Sequence, residues 1–126
     1  MKIVVVLLIL LSVELDVFAQ FETQASAKEE RKALRQVKKL RKRLLRGADF
    51  SRLAKKFSDD PGSGPYGGTL GRVQFGQFVP QFDSTVLELE VSEISEPVRT
   101  DFGYHLIELI AKDETTFTSR HILITP

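Results

Sequence analysis

The chain lacks cysteine and tryptophan altogether and carries only two histidines in 126 residues. Without cysteine there can be no disulfide, no thiolate metal site, no cysteine nucleophile and no lipid attached at a thiol. Two imidazoles are too few for a zinc site built on histidine. Long apolar runs are also missing. Ile3 to Val13 is about half of what a membrane-spanning helix requires, and Glu14 and Asp16 close it off. The length allows one small domain with a single core.

An excess of charge of either sign is absent as well, but the net +1 conceals a separation. Lys28 to Arg46 holds ten Lys or Arg against Glu29 and Glu30, a local +8, so the remainder sums to −7. Charge alone would admit phosphate or nucleic-acid binding. No aromatic platform interleaves with those cations, which disfavours nucleic acid. An anionic membrane surface or acidic client segments suit an exported basic helix better.

Export is what the first nineteen residues suggest. Lys2 forms a positive n-region, Ile3 to Val13 an apolar h-region, and Val17-Phe18-Ala19 ends in the small residue that signal peptidase needs. The two acids before Val17 depart from the usual neutral c-region. The rival reading is a buried strand, because Val13, Leu15 and Val17 alternate with Glu14 and Asp16. Cleavage after Ala19 would leave residues 20–27 as a linker.

The pattern then turns helical. Ser26-Ala27-Lys28-Glu29 fits a capping box, Gly47 a helix end, and Ala33, Leu34, Val37, Leu40, Leu44 and Leu45 fall in one stripe. Asp49 caps a second short helix that turns Phe50, Leu53, Ala54 and Phe57 inward. Asp59 to Gly71 reads as loop, since it carries five of the eight glycines and two of the five prolines. Pro80 opens a third helix burying Phe82, Val86 and Leu87. A strand follows near Val98, then a turn at Asp101 to Gly103, then a mostly buried strand from Tyr104 to Ile110.

Three segments, FSDDPGSGPYGGTLG (57–71), GQFVPQFD (76–83) and PVRTDFGYHLIEL (97–109), stand in the order and spacing of one known family. Over about Lys28 to Lys112 the chain resembles the parvulin-type peptidyl-prolyl cis-trans isomerases, in the style of the periplasmic SurA-like and PpiC-like chaperones. The resemblance implies an α+β fold, a small antiparallel sheet flanked by helices, occupying residues 28–112. It also implies a periplasmic or cell-envelope location and no cofactor or metal. The implied clients are unfolded or nascent exported proteins with bonds to proline, whose isomerisation barrier of about 18–20 kcal/mol takes tens to hundreds of seconds unaided. A module that holds clients without isomerising them is the alternative.

Site residues follow from the same resemblance. Leu70, Phe78, Phe82 and Phe102 stand at proline-pocket positions, although Phe82 could equally be core. Asp60 stands where the family has cysteine or aspartate, which implies an electrostatic role. As a plain sequence, Asp59-Asp60-Pro61-Gly62 is also a good turn. Thr100, His105 and His121 match the family's polar floor. Two departures are visible: Thr69 replaces an aspartate common in relatives, and Ser92 replaces a glycine that usually makes a turn.

The family's opening strand is missing before the basic helix. Its pattern, a histidine ahead of an aliphatic run, recurs instead as Ser119-Arg120-His121-Ile122-Leu123-Ile124. Residues 113–126 are therefore either the start of a second such domain or a strand that folds back into the vacant place. In the second case it should pair antiparallel with Tyr104–Ile110 and bring His121 to His105.

Overall fold

The computed structural model describes residues 2–126, with side chains from Val13 onward. Met1 and the side chains of residues 2–12, which make up most of the expected export segment, lie outside the described residues. The order of elements is α1 (Lys2–Leu45), α2 (Phe50–Phe57), a 3-10 turn (Gly64–Tyr66), β1 (Thr69–Gln74), α3 (Pro80–Glu88), β2 (Val98–Thr100), β3 (Gly103–Lys112) and β4 (Thr116–Ile124).

The first helix does not start where the capping box suggests. It runs unbroken for 44 residues, so Ser26 is interior and the expected linker at 20–27 is helical. No glycine or proline interrupts the chain before Gly47, and the Thr23 hydroxyl donates to the Ala19 carbonyl (2.9 Å), a bond that fits a helix interior. The helix ends as expected. Gly47 takes φ +98, its N–H reaches the Leu44 carbonyl (3.0 Å), and the Ala48 N–H reaches that of Arg43 (3.0 Å). Asp49 then caps α2, its Oδ1 accepting from the Arg52 N–H at 2.8 Å.

Four antiparallel strands form one sheet in the order β1-β4-β3-β2. The C-terminal segment is thus not an edge but an interior strand, paired on both sides. Leu106 lies opposite Ile122 and Leu109 opposite Ser119, with a bulge at Ile110. The β3–β4 turn is fixed by Asp113, whose Oδ1 accepts from the N–H groups of Thr115 (2.9 Å) and Thr116 (2.8 Å). Those two bonds, with the Thr116 hydroxyl, hold its carboxyl at about 2.

Strand β1 falls within and beyond the stretch expected to be loop. Its glycines read as turns, yet the pairing with β4 makes residues 69–74 a strand, bulged near Leu70. Gly68 makes that approach possible: its φ is +85, and a Cβ there would lie 2.3 Å from the His121 carbonyl oxygen.

Side chains alternate across the sheet and define two layers. One face packs Leu106, Ile122 and Ile124 against Ala33, Val37, Leu40 and Leu44 of α1 and Phe50 and Leu53 of α2. The other packs Ile107, Leu109 and Phe117 against Phe82, Val86 and Leu89 from α3 and its end. Two expected core residues are on the outside: Leu45 is 59% exposed and Leu87 61%. Each is the neighbour of the residue that faces the sheet, Leu44 and Val86, and rotates away from it. The Lys112 ammonium caps α3 from the sheet, donating to the carbonyls of Leu87 (2.9 Å) and Leu89 (2.7 Å).

Candidate active site

Strands β3 and β4 project His105 and His121 onto the α3 side of the sheet, and both are buried. Their Nδ1 atoms are 3.0 Å apart. Beyond His105 lies Thr100, with Oγ1 2.7 Å from His105 Nε2. Beyond His121 lies Asp60, with Oδ2 2.7 Å from His121 Nε2. Four side chains from four segments thus form one hydrogen-bonded row under a cavity.

Asp60 sets the direction of this row. Burial alone would raise its carboxyl. The Ser63 hydroxyl, His121 and the Gly62 N–H outweigh burial and hold it at about 2. Ser63 donates at 2.5 Å and the Gly62 N–H at 3.0 Å. An ionised Asp60 only accepts, so His121 donates from Nε2 and, being neutral, accepts at Nδ1. His105 must then donate from Nδ1 and accept at Nε2, which leaves the Thr100 hydroxyl as donor. Thr100 Oγ1 in turn accepts from the Phe102 N–H at 3.2 Å. Donors and acceptors along the row agree in sense, with Asp60 Oδ2 accepting from both His121 and Ser63.

Neutrality of both rings has a physical cause. Burial lowers the pKa of His105 to about 4, helped by His121 and only partly opposed by Asp60. Burial also lowers that of His121, against the bond to Asp60. At neutral pH the row carries one negative charge, at Asp60.

The cavity above measures about 420 Å³. Leu70, Phe78, Val79, Phe82, Phe102 and Leu123 supply its apolar wall, while Asp60, Gln77, His105 and His121 supply its polar groups. Phe82 stands edge-on to His105 (centroids 5.9 Å apart) and packs against Phe78 at 5.0 Å. The two readings of Phe82 therefore coincide, since one face is core and the other is cavity wall. Phe102 is 62% exposed, at the mouth. A larger groove of about 1030 Å³ runs between the end of α1, α3 and residues 92–99, but it holds neither histidine nor Asp60.

The structure brings together all eight residues expected at the site, seven lining the cavity and Thr100 beneath it. Sequence reasoning missed Ser63, which is 2% exposed and bonded to Asp60, and Leu123 and Val79 in the wall. Ser63 was detectable, because a serine three residues after an aspartate in a tight turn can bond back to it. Val79 and Leu123 carried no local signal.

Comparison with known proteins agrees with this geometry. The family profile "Rotamase: PPIC-type PPIASE domain" matches residues 9–111. A foldase protein PrsA of a Geobacillus species is 44% identical over 75 residues, 60% of this chain and 27% of the relative. A chaperone SurA of Nitrosococcus oceani is 42% identical over 89 residues, 71% of this chain and 21% of the relative. Among solved structures, the peptidylprolyl isomerase PrsA of Bacillus cereus superposes with a TM-score of 0.61 at 41% identity, over 65% of this chain and 32% of that one. The chain spans about a quarter of the length of the curated relatives it matches. On profile, identity and fold, this chain belongs to the rotamase family of PPIC-type PPIase domains.

Proposed function

We propose that this chain is a peptidyl-prolyl cis-trans isomerase acting on proline-containing segments of unfolded exported proteins. The observation that carries this reading is an apolar cavity whose floor ends in a fixed carboxylate at Asp60. In a planar amide the carbonyl oxygen carries partial negative charge. On twisting, conjugation is lost and that charge shrinks. A carboxylate held beside the carbonyl therefore opposes the planar ground state more than the twisted transition state. Leu70, Phe78, Phe82 and Phe102 receive the proline ring and keep water from stabilising the planar form. His105, His121 and Thr100 hold Asp60 ionised and correctly aimed. No covalent bond to the substrate is required.

A module that only holds clients needs no completed pocket. With β4 in the sheet, His121 and Leu123 stand in the wall, which supports the catalytic reading over that alternative.

Export to the periplasm or cell envelope is part of the same proposal, with residues 1–19 as the removable signal. So is contact of the basic face of α1 with anionic membrane surfaces.

A proline-peptide isomerisation assay tests the site. Asp60→Ala and Phe82→Ala should each lower kcat/KM at least about tenfold, a loss of roughly 1.4 kcal/mol in transition-state stabilisation. Full activity in a folded Asp60→Ala protein would remove Asp60 from the mechanism.

A further inference from the structure

The two layers on the sheet differ in charge as well as in partners. Residues 28–56, which contain the C-terminal part of α1 and all of α2, hold thirteen Lys and Arg against three Asp and Glu, a net +10. Twelve of those cations are exposed. Of the ion pairs among the described residues, only Arg41–Glu96 uses a cation from this stretch. Arg31, Arg35, Lys38 and Lys42 run along the outer side of α1, opposite the buried stripe, and Arg52 and Lys55 continue the surface on α2. Phe57 sits between Arg43 (5.7 Å) and Lys56 (5.3 Å) at its margin.

Residues 57–126 sum to −7. They build the sheet, the α3 layer and the cavity wall, and Asp59, Glu88 and Asp101 among them are exposed. Charge is therefore polarised between the two stretches, although Glu96 and Glu108 reach the α1–α2 side, paired to Arg41 and to Arg120 over Phe50. The pocket lies on the negative side, because His105, His121 and Phe82 belong to the α3 face.

Resting on the membrane contact proposed above, we infer that the protein adsorbs to an anionic bilayer in one orientation, with α1 and α2 against the lipid headgroups and the proline pocket directed away from them. The α1–α2 face presents cations on helix surfaces, with one aromatic at its margin, and the larger groove reaches it only at one edge, through Arg41, Leu44 and Leu45, which suits a headgroup layer better than a peptide or a base stack. Repulsion of the net acidic remainder favours the same orientation. Layers of helix and sheet about 10 Å apart put the pocket roughly 20 Å from the lipid, beyond two Debye lengths at physiological salt. Asp60 therefore keeps its ionisation on the membrane, and a client reaches the pocket unobstructed.

The experiment uses the full chain and vesicles of phosphatidylcholine with or without 30% phosphatidylglycerol. Binding to the anionic vesicles should exceed that to the neutral ones at least about tenfold at low salt, and should fall steeply with added salt. Arg31, Arg35, Lys38 and Lys42 changed together to Gln should lose most of that preference. Because the protein has no cysteine, single labels report orientation cleanly. A polarity-sensitive dye at Lys39→Cys should shift to the blue on binding, and one at Glu88→Cys should not. Isomerase activity on a soluble peptide, measured on bound and free protein, should be equal.

Equal binding to neutral vesicles, or an unchanged preference in the fourfold variant, would overturn the membrane contact itself. Tighter binding of a single-stranded oligonucleotide at the same salt would assign the face to nucleic acid instead. A shift at Glu88→Cys, or loss of activity on binding, would overturn the orientation while leaving membrane contact standing. Inactivity of the free protein would count against the isomerase reading alone.

Discussion

His105 and His121 face each other Nδ1 to Nδ1 at 3.0 Å across two neighbouring strands, with rings 5.2 Å apart and 26° from parallel. Two nitrogens at that distance share one proton. Both rings are buried against Phe82, so the pair is stable only while both are neutral. A second proton between them would make His121 a buried cation and take away the acceptor that the row of hydrogen bonds needs.

Acid should therefore weaken the fold in a definite window. A free histidine titrates near 6.5, whereas His105 in the fold is held at about 4. Above 6.5 both states are neutral and nothing is lost. Between 6.5 and 4 the unfolded chain binds a proton that the folded chain refuses, so stability falls as pH falls. Below about 4 that loss is complete, and it amounts to about 3 kcal/mol. His121 is shifted in the same direction and adds to the loss. Asp60, lowered from 3.8 to about 2, contributes stability above its unfolded pKa that is lost as pH drops through its folded one. Denaturant titrations at pH 7.5, 5.5 and 4 should show unfolding free energy falling at each step. His105→Gln should flatten the change between 6.5 and 4; a flat wild-type curve there would contradict the assignment.

Ser92 is the one non-glycine residue with positive φ among the described residues, at 72°. The turn is held by its N–H to the Leu109 carbonyl at 2.7 Å, so the backbone cannot relax without losing that bond. A left-handed conformation costs an L-residue about 1–2 kcal/mol, and glycine escapes it at an unfolded-state cost of about 0.4–1 kcal/mol. Ser92→Gly should therefore stabilise by about 0.5–1 kcal/mol and raise Tm by a few degrees. Ser92→Val, β-branched in the same conformation, should lower Tm.

The contrast between those residues and others explains how far the sequence could be read. Asp49, Gly47 and Pro80 carry local chemistry that marks element ends, and α2, α3 and the end of α1 lie where they indicate. The start of α1 had no such marker, because a capping box inside a run of helix-compatible residues does not terminate anything. Strand β1 depends on an edge offered by a segment 42 or more residues away, and its own glycines argue for loop. Asp60, His105 and Phe82 were legible because they recur in a known arrangement. Ser63 acts through Asp60, and Val79 and Leu123 act through placement, so no local pattern announces them.

Export makes a prediction about the N-terminus. If residues 1–19 are removed, protein recovered from the cell envelope should begin at Gln20. The helix of the processed chain then starts closer to the basic stripe, and the sheet and site are untouched, since the first sheet contact described from α1 is at Glu30, through Tyr104 and Arg99. N-terminal sequencing decides the matter. Intact Met1 in a soluble cytosolic form, with residues 3–17 protected from protease, would count against a signal.

The position of β4 gives the sharpest test of the architecture. A strand at the edge of a sheet can be removed with loss of one neighbour; this one has two, β1 and β3, and it lies outside residues 9–111 of the family match. Ile122 and Ile124 fill the α1 layer, Phe117 fills the α3 layer, and all three are essentially inaccessible to solvent. Deleting Thr118–Pro126 would leave backbone donors and acceptors of β1 and β3 unpaired beside apolar surface. Each buried aliphatic residue lost costs about 2–5 kcal/mol, against a total stability of about 5–15 kcal/mol for a domain of this size. The truncated chain should therefore show no cooperative melt and no isomerase activity. A gentler change separates folding from chemistry: Ile122→Ala should lower Tm while kcat/KM of the folded fraction stays near wild type, and His121→Ala should lower kcat/KM in protein that still melts cooperatively. An unchanged melt and rate after the deletion would mean that the segment belongs to some other domain and that His121 has no part in the site.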